Sequence, residues 1–138
     1  MHYPALFNRD ESGIIVVTFR DIPEALTQGK TEVEAKENAR DALITAMDFY
    51  FEDRRSVPQP SILEGEEVLI DLPFSVSVKV ALLNEMVEQG VSAAELARRL
   101  DVSPQSVNRI MKLDHATKID TLDEAFEKLG KSLDFVVA

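Results

Sequence analysis

The 138 residues contain no cysteine and no tryptophan, and only two histidines. Without cysteine there is no disulfide framework, no thiolate metal site and no cysteine nucleophile. His2 and His115 stand too far apart in sequence to form a local ligand pair, so neither a metal nor a cofactor is expected. No run of about eighteen apolar residues occurs, so no segment is expected to cross a membrane. The start, MHYPALFNRDESG, lacks the basic opening and apolar core of a signal peptide, and the expected location is the cytoplasm. Positive charge is scarce too, with fifteen Lys/Arg against twenty-five Asp/Glu and a net charge of −10. What is present, 45% apolar and 29% charged residues, suits one ordinary domain or two small ones.

The most informative stretch is VSAAELARRLDVSPQSVNRIMKLDHATK, residues 91–118. It reads as two short helices, each opened by the same device. In the first, Ser92 caps the helix, Glu95 is spaced to return a bond to the cap, and Val91 and Leu96 form a hydrophobic staple. In the second, Ser103 is the cap, Pro104 takes the first helical position and Val102 and Val107 are the staple. Only Asp101, Val102 and Ser103 lie between them, which leaves room for nothing but a tight corner. Two capped helices across such a corner form a helix-turn-helix, whose second helix enters a DNA major groove. Val107, Ile110 and Met111 make an apolar stripe to pack on Leu96, Ala97 and Leu100. Gln105, Asn108, Arg109 and Lys112 fall on another face at i, i+3, i+4, i+7. Gln and Asn pair with adenine, Arg with guanine, and Lys with guanine or phosphate. With Ser103 and Ser106 at the helix start and Lys118 beyond its end, these residues are the candidate DNA contacts.

The distribution of charge reconciles an acidic chain with DNA. Residues 1–75 carry seven Lys/Arg and fifteen Asp/Glu, a net −8, while residues 76–138 carry eight and ten, a net −2. Within 95–118 five basic residues face three acidic ones, a net +2. Distant acid is screened beyond about 8 Å at physiological salt, and local charge supplies phosphate affinity. One copy should bind weakly, and a homodimer reading two half-sites is the natural remedy.

The run ELARRLDVSPQSVNRIMKL resembles the helix-turn-helix of phage-repressor-like transcription factors. The continuation, LDHATKIDTLDEAFEKLGKSL, resembles the C-terminal domain of HicB-type antitoxins. That group often has glycine at the corner where this chain has Asp101, one of the few other residues that tolerate positive φ.

In the N-terminal half, Met1–Phe7 is a β-prone run ending at a polar hairpin loop, Asn8–Gly13. Ile14–Phe19 is continuous and β-branched, as in a strand buried on both faces. Glu24–Gln28 is expected as a third, edge-like strand. Thr31-x-x-Glu34 opens a long helix with Ala35, Ala39, Ala42, Leu43, Ala46, Met47 and Tyr50 on its apolar side, ending near Asp53–Arg55. Pro58 and Pro60 demand extended chain, and Val68–Leu72 returns to the sheet. The expected order is β-β-β-α-β, one helix on one face of a small, mostly antiparallel sheet. This half also resembles HicB at Tyr3, Gly13, Phe19, Asp21, Ile22, Pro23, Thr27, Gly29, Thr31, Glu34, Ala35, Asn38, Ala39, Ala42, Pro58, Pro60 and Ser61. It departs at Arg20, where the family usually has proline, and at Glu24, where glycine is common. The resemblance implies a truncated ribonuclease-H-like fold that covers a small, basic, RNA-cleaving toxin of the HicA type. It also implies that the chain is not an enzyme.

Two other readings are open at this level. Asp10, Glu11 and Asp21 lie near strand ends, where a two-metal nuclease places its acids. No converging set can be assembled from this order, however, and solvated loop carboxylates are the better reading. A ligand-sensing regulator would need a pocket with convergent polar groups. Acid has a simpler use, since a half-chain of −8 attracts a basic RNA-binding partner.

A boundary is expected at Pro73, giving an α/β domain over 1–73 and an all-α helix-turn-helix domain over 74–138. Ser75 or Ser77 should cap a helix to Gln89, with Val80, Leu83, Met86 and Val87 inward and Gly90 as its stop. Leu113–Ile119 reads as a loop, with His115, Thr117 and Lys118 near phosphate. Thr121 should cap a last helix with Leu122, Ala125, Phe126 and Leu129 inward. Ser132–Ala138, SLDFVVA, is apolar and β-prone at a terminus, and Leu133, Phe135 and Val137 are expected to pair as a strand with a second copy. The whole is expected to be an α+β, two-domain chain, an acidic α/β module joined to a DNA reader. The resemblance implies that it inhibits a toxin and represses its own operon through operator DNA.

Overall fold

The computed structural model describes all 138 residues and divides them into two compact units, Met1–Tyr50 with Val57–Phe74, and Phe51–Ser56 with Ser75–Ala138. In the first unit the strands are β1 (His2–Arg9), β2 (Ile15–Thr18), β3 (Leu26–Gly29) and β4 (Val68–Asp71), with helix α1 (Glu32–Asp53) between the third and fourth. The sheet order is β3-β2-β1-β4 and every pairing is antiparallel, which makes β3 and β4 the edges.

Local chemistry sets the limits of these elements. β1 runs two residues past its expected end because the turn needs only Asp10–Gly13. There Asp10 accepts from the Ser12 hydroxyl at 2.6 Å, the Ser12 N–H at 2.9 Å and the Ile14 N–H at 3.0 Å. The Ser12 hydroxyl, then these N–H groups, hold the Asp10 carboxyl below its usual range. β2 is not buried on both faces as its composition suggests. Ile15, Val17 and the following Phe19 are buried, while Val16 is half-buried and Thr18 exposed. One helix covers one face, and a β-branched run fits a half-covered pleat equally well.

Thr31 caps α1 through the Glu34 N–H at 3.2 Å. Six of the seven residues expected inward are buried, with Ala42 at the margin. The alanines let α1 lie close to the sheet, and at Gly29 the approach is tightest. A Cβ there would stand 2.5 Å from the Ala35 nitrogen. Asn38 donates to the Gln28 carbonyl at 2.8 Å on one edge strand, and Arg40 to the Asp71 carbonyl at 3.2 Å on the other.

The proline segment folds back onto the sheet's end. The buried Tyr3 hydroxyl donates to the Pro58 carbonyl at 2.7 Å. Burial, then the nearby Asp21 charge, push the Tyr3 phenol well above its ordinary range. Asp21 accepts from the Ser61 N–H at 2.8 Å and its hydroxyl at 2.5 Å. Asp21 therefore anchors a loop instead of being simply solvated. Arg20, the departure from the family pattern, pairs with Glu67 at 2.8 Å and also donates to the Ile62 carbonyl.

In the second unit α2 (Phe74–Gln89), α3 (Ala93–Leu100), α4 (Pro104–Ile110) and α5 (Ile119–Glu127) close around one core. Val78, Leu82 and Met86 of α2 meet Leu96, Val107, Ile110, Leu122 and Phe126 there. α2 starts earlier than expected, so Ser75 and Ser77 lie inside it and not at its N-cap. Its buried surface also includes Val76, Val78 and Leu82, which a one-sided reading left out. α5 likewise begins two residues before Thr121, with Lys118 at its N-cap and no side-chain bond there. Leu122, Ala125, Phe126 and Leu129 are buried as expected. Ser132–Ala138 forms no strand or helix within the single chain. Leu133 packs against the core, while Phe135, Val136 and Val137 are 79, 91 and 86% exposed. No helix is long and apolar enough to cross a membrane.

Candidate nucleic-acid interface

Three chain reversals shape this unit, and they share one hydrogen-bond pattern. At the end of α2, Gly90 donates to the Val87 carbonyl at 3.2 Å and Val91 to that of Met86 at 2.8 Å. At the end of α3, Asp101 donates to Arg98 at 3.2 Å and Val102 to Ala97 at 3.0 Å. After α5, Gly130 and Lys131 repeat it onto Glu127 and Phe126. This is the Schellman closure, and it requires a left-handed residue at its apex. Asp101 fills that place with φ 56 and ψ 47, as expected of the residue standing in for glycine.

The caps are also as the sequence indicates. Ser92 accepts from the Glu95 N–H at 3.1 Å, and Ser103 from the Ser106 N–H at 3.2 Å. Glu95, however, does not turn back to the cap. Its carboxylate takes Arg98 at 2.5 Å and Arg99 at 3.2 Å, and Arg98 first, then Arg99, hold it below the usual range. Glu95 thus cancels one of those two charges, and Arg109, Lys112 and Lys118 have no ion pair of their own among the salt bridges. Val91 and Leu96 are both buried as a staple, but Val102 remains 43% exposed against a buried Val107.

α4 buries Val107 and Ile110 and exposes Gln105, Asn108 and Arg109. Ser103 and Ser106 sit at its start, their hydroxyls 3.0 Å apart and engaged in the cap. Lys112 is exposed but not on the helical stripe, because α4 ends at Ile110 and Met111 is its C-cap. Lys112 lies in the following turn instead. Ser106 and Arg109 of α4 and His115, Thr117 and Lys118 of the loop line one shallow hollow of about 390 Å³. The Thr117 hydroxyl is buried there and has no partner within the chain.

Sequence reasoning missed Lys79, which places that loop. It lies in α2 and is 1% exposed, and its ammonium donates to the Lys112 carbonyl at 2.5 Å and the His115 carbonyl at 2.6 Å. Burial pushes its pKa below the ordinary lysine value, partly opposed by Asp114. A lysine within the apolar run Val76–Leu83 was the available signal, since buried lysines are almost always paired. The three acids considered for nuclease chemistry do not assemble. Asp10 closes a turn, Asp21 holds Ser61, and no group of three potential metal-ligating side chains occurs anywhere in the chain.

Comparison with known proteins agrees with both halves. Residues 2–81 match the model of the HicB-like antitoxin of bacterial toxin-antitoxin systems, and residues 82–136 match a helix-turn-helix model. The Photorhabdus laumondii protein named Antitoxin HicB 2 is 52% identical over 136 residues, 99% of this chain and 96% of its own length. The Escherichia coli K12 Antitoxin HicB is 47% identical over 137 residues, 99% of each chain. The chain belongs to the HicB-like antitoxin family. That family consists of antitoxins and not enzymes, and this member joins the antitoxin half to a DNA-binding helix-turn-helix. A more distant relative, the Pseudomonas fluorescens Antitoxin HicB, is 38% identical over 130 residues and covers 94% of this antitoxin.

Proposed function

We propose that this antitoxin does two things in the cytoplasm. Its N-terminal domain, residues 1–73, binds a small, basic, RNA-cleaving toxin of the HicA type and inhibits it by occlusion. Its C-terminal domain, residues 74–138, binds operator DNA and represses the operon that encodes the pair. The N-terminal fold is read as a truncated ribonuclease-H-like one, on its strand order and on the helix joining the third and fourth strands. The observation that carries the DNA half is the outward face of α4, where Gln105, Asn108 and Arg109 are exposed beside Lys112 and Lys118. The net −8 of residues 1–75 supports a basic partner for the other half.

DNA binding needs a pair of readers, and Leu133, Phe135 and Val137 are proposed to supply the seam between two copies. An apolar, β-prone segment that is largely exposed and has no strand partner in its own chain is suited to that. Removing residues 132–138 should convert a dimer to a monomer by mass in solution, and an unchanged dimer would count against the seam.

Operator binding is read by fluorescence anisotropy on the upstream DNA. Arg109→Ala or Gln105→Ala should each cost about 1–3 kcal/mol of specific affinity. Toxin neutralisation by the same variants should be unchanged. A metabolite co-purifying in place of a basic polypeptide would favour a ligand-sensing regulator and sink the antitoxin half.

A further inference from the structure

In the N-terminal unit a hollow of about 280 Å³ opens between β3 and α1. Glu24 and Asp41 stand on its lining, with Leu26, Thr45 and Phe49, and no lysine or arginine contributes to it. Two of these residues are large apolar side chains turned toward solvent, Leu26 at 65% exposure and Phe49 at 52%. The Glu24 carboxylate is held in place by the Tyr50 hydroxyl, which donates to it at 2.9 Å. One carbonyl of the β3 edge beside the hollow is already taken, because Asn38 donates to Gln28. The side chains of the hollow, more than that edge, are what a partner would meet.

We propose that this hollow is the seat for a lysine or arginine side chain of the basic toxin. The aliphatic stem would lie along Leu26 and the ring of Phe49, and the charge would come between Glu24 and Asp41. A cation against an aromatic ring with carboxylates at its rim gains from both, and partial exclusion of water strengthens each. Long basic side chains bury their stems on apolar surface while the head stays polar, which matches an apolar floor with an acidic margin. This rests on the antitoxin reading and adds the place of contact.

The test uses the full chain and the HicA-type toxin encoded beside it, with affinity read by calorimetry. Asp41→Lys should weaken binding roughly a hundredfold and Phe49→Ala roughly tenfold, as truncated or reversed anchors do at protein interfaces. Glu66→Lys makes the same change of charge at an exposed loop site away from the hollow, and should weaken binding by less than about threefold. All three positions are exposed, and circular dichroism with operator binding checks that each variant is folded. If Glu66→Lys weakens binding as much as Asp41→Lys, only overall charge matters and the seat is wrong. If Asp41→Lys and Phe49→Ala both bind as the wild type does, the seat falls while the toxin partnership stands. If Asp41→Lys alters the mass of the free antitoxin instead, the hollow serves a second copy and the proposal is overturned. Failure of the unaltered antitoxin to bind any basic toxin would remove the antitoxin reading itself.

Discussion

Replacing Lys79 by methionine tests what places the loop beyond α4. The substitution keeps the apolar stem at nearly constant volume and removes only the ammonium. Two charge-assisted hydrogen bonds are lost, those to Lys112 and His115. Each contributes about 1.5–3 kcal/mol. Against this, methionine avoids the several kcal/mol needed to bury an ammonium, and water near the exposed loop can solvate part of the freed carbonyls. The balance is a loss of about 2 kcal/mol of stability, with the loop looser. Because Lys112 lies in that loop and Lys118 follows it, operator affinity should fall about tenfold, equivalent to roughly 1.4 kcal/mol. The pH dependence separates this from a generic core defect. Burial lowers the folded-state pKa of Lys79 below the ordinary lysine value that the unfolded chain keeps. Between those two values the unfolded chain holds more protons, so wild-type stability rises with pH there. A neutral amine still has two N–H donors for two carbonyls. The stability gap between wild type and Lys79→Met should therefore widen toward about pH 10 in urea unfolding, since stability grows with pH wherever the unfolded state binds more protons. A variant as stable as wild type with undiminished operator affinity would refute the placing role, and a gap that narrows with rising pH would refute the titration.

Gly29→Ala should cost about 3 kcal/mol, the upper range for overpacking, because the new Cβ meets backbone that cannot swing aside; an unchanged urea midpoint would show that α1 can lift. Asp101→Gly should raise stability by roughly 0.5 kcal/mol by relieving a left-handed L-residue, partly offset by the looser unfolded chain. Operator affinity should stay constant in that variant, and a drop in stability would mean that the aspartate carboxylate contributes something glycine cannot.

Much of the fold was legible because it is written in local chemistry. Ser92 and Ser103 act as caps, and Asp101 takes the left-handed corner, since those requirements are met within four or five residues. The residues that carry the family resemblance in the N-terminal half prove to be contact partners: Tyr3 with Pro58, Asp21 with Ser61, and Gly29 packed against Ala35. What could not be read depends on distance along the chain. Lys79 meets the Lys112 carbonyl across thirty-three positions, and nothing in its neighbours announces the loop it holds. Thr121 has the cap spacing but lies inside α5, which begins at Ile119 with Lys118 at its N-cap. β2 looked buried on both faces because a β-branched run does not say how many layers cover it. The candidate DNA face was legible in its residues but not in its limits: Lys112 fits the stripe by counting, and the helix ends before reaching it.

Each edge strand has one carbonyl engaged from a single helix, Asn38 reaching Gln28 on one border of the sheet and Arg40 reaching Asp71 on the other. Growth of that sheet by accretion of like chains is checked at its first rung on either side. A chain with two open sheet borders gains from this, since one acceptor on each is already taken. If the short apolar tail forms the proposed seam, each copy is satisfied by one other and the assembly closes.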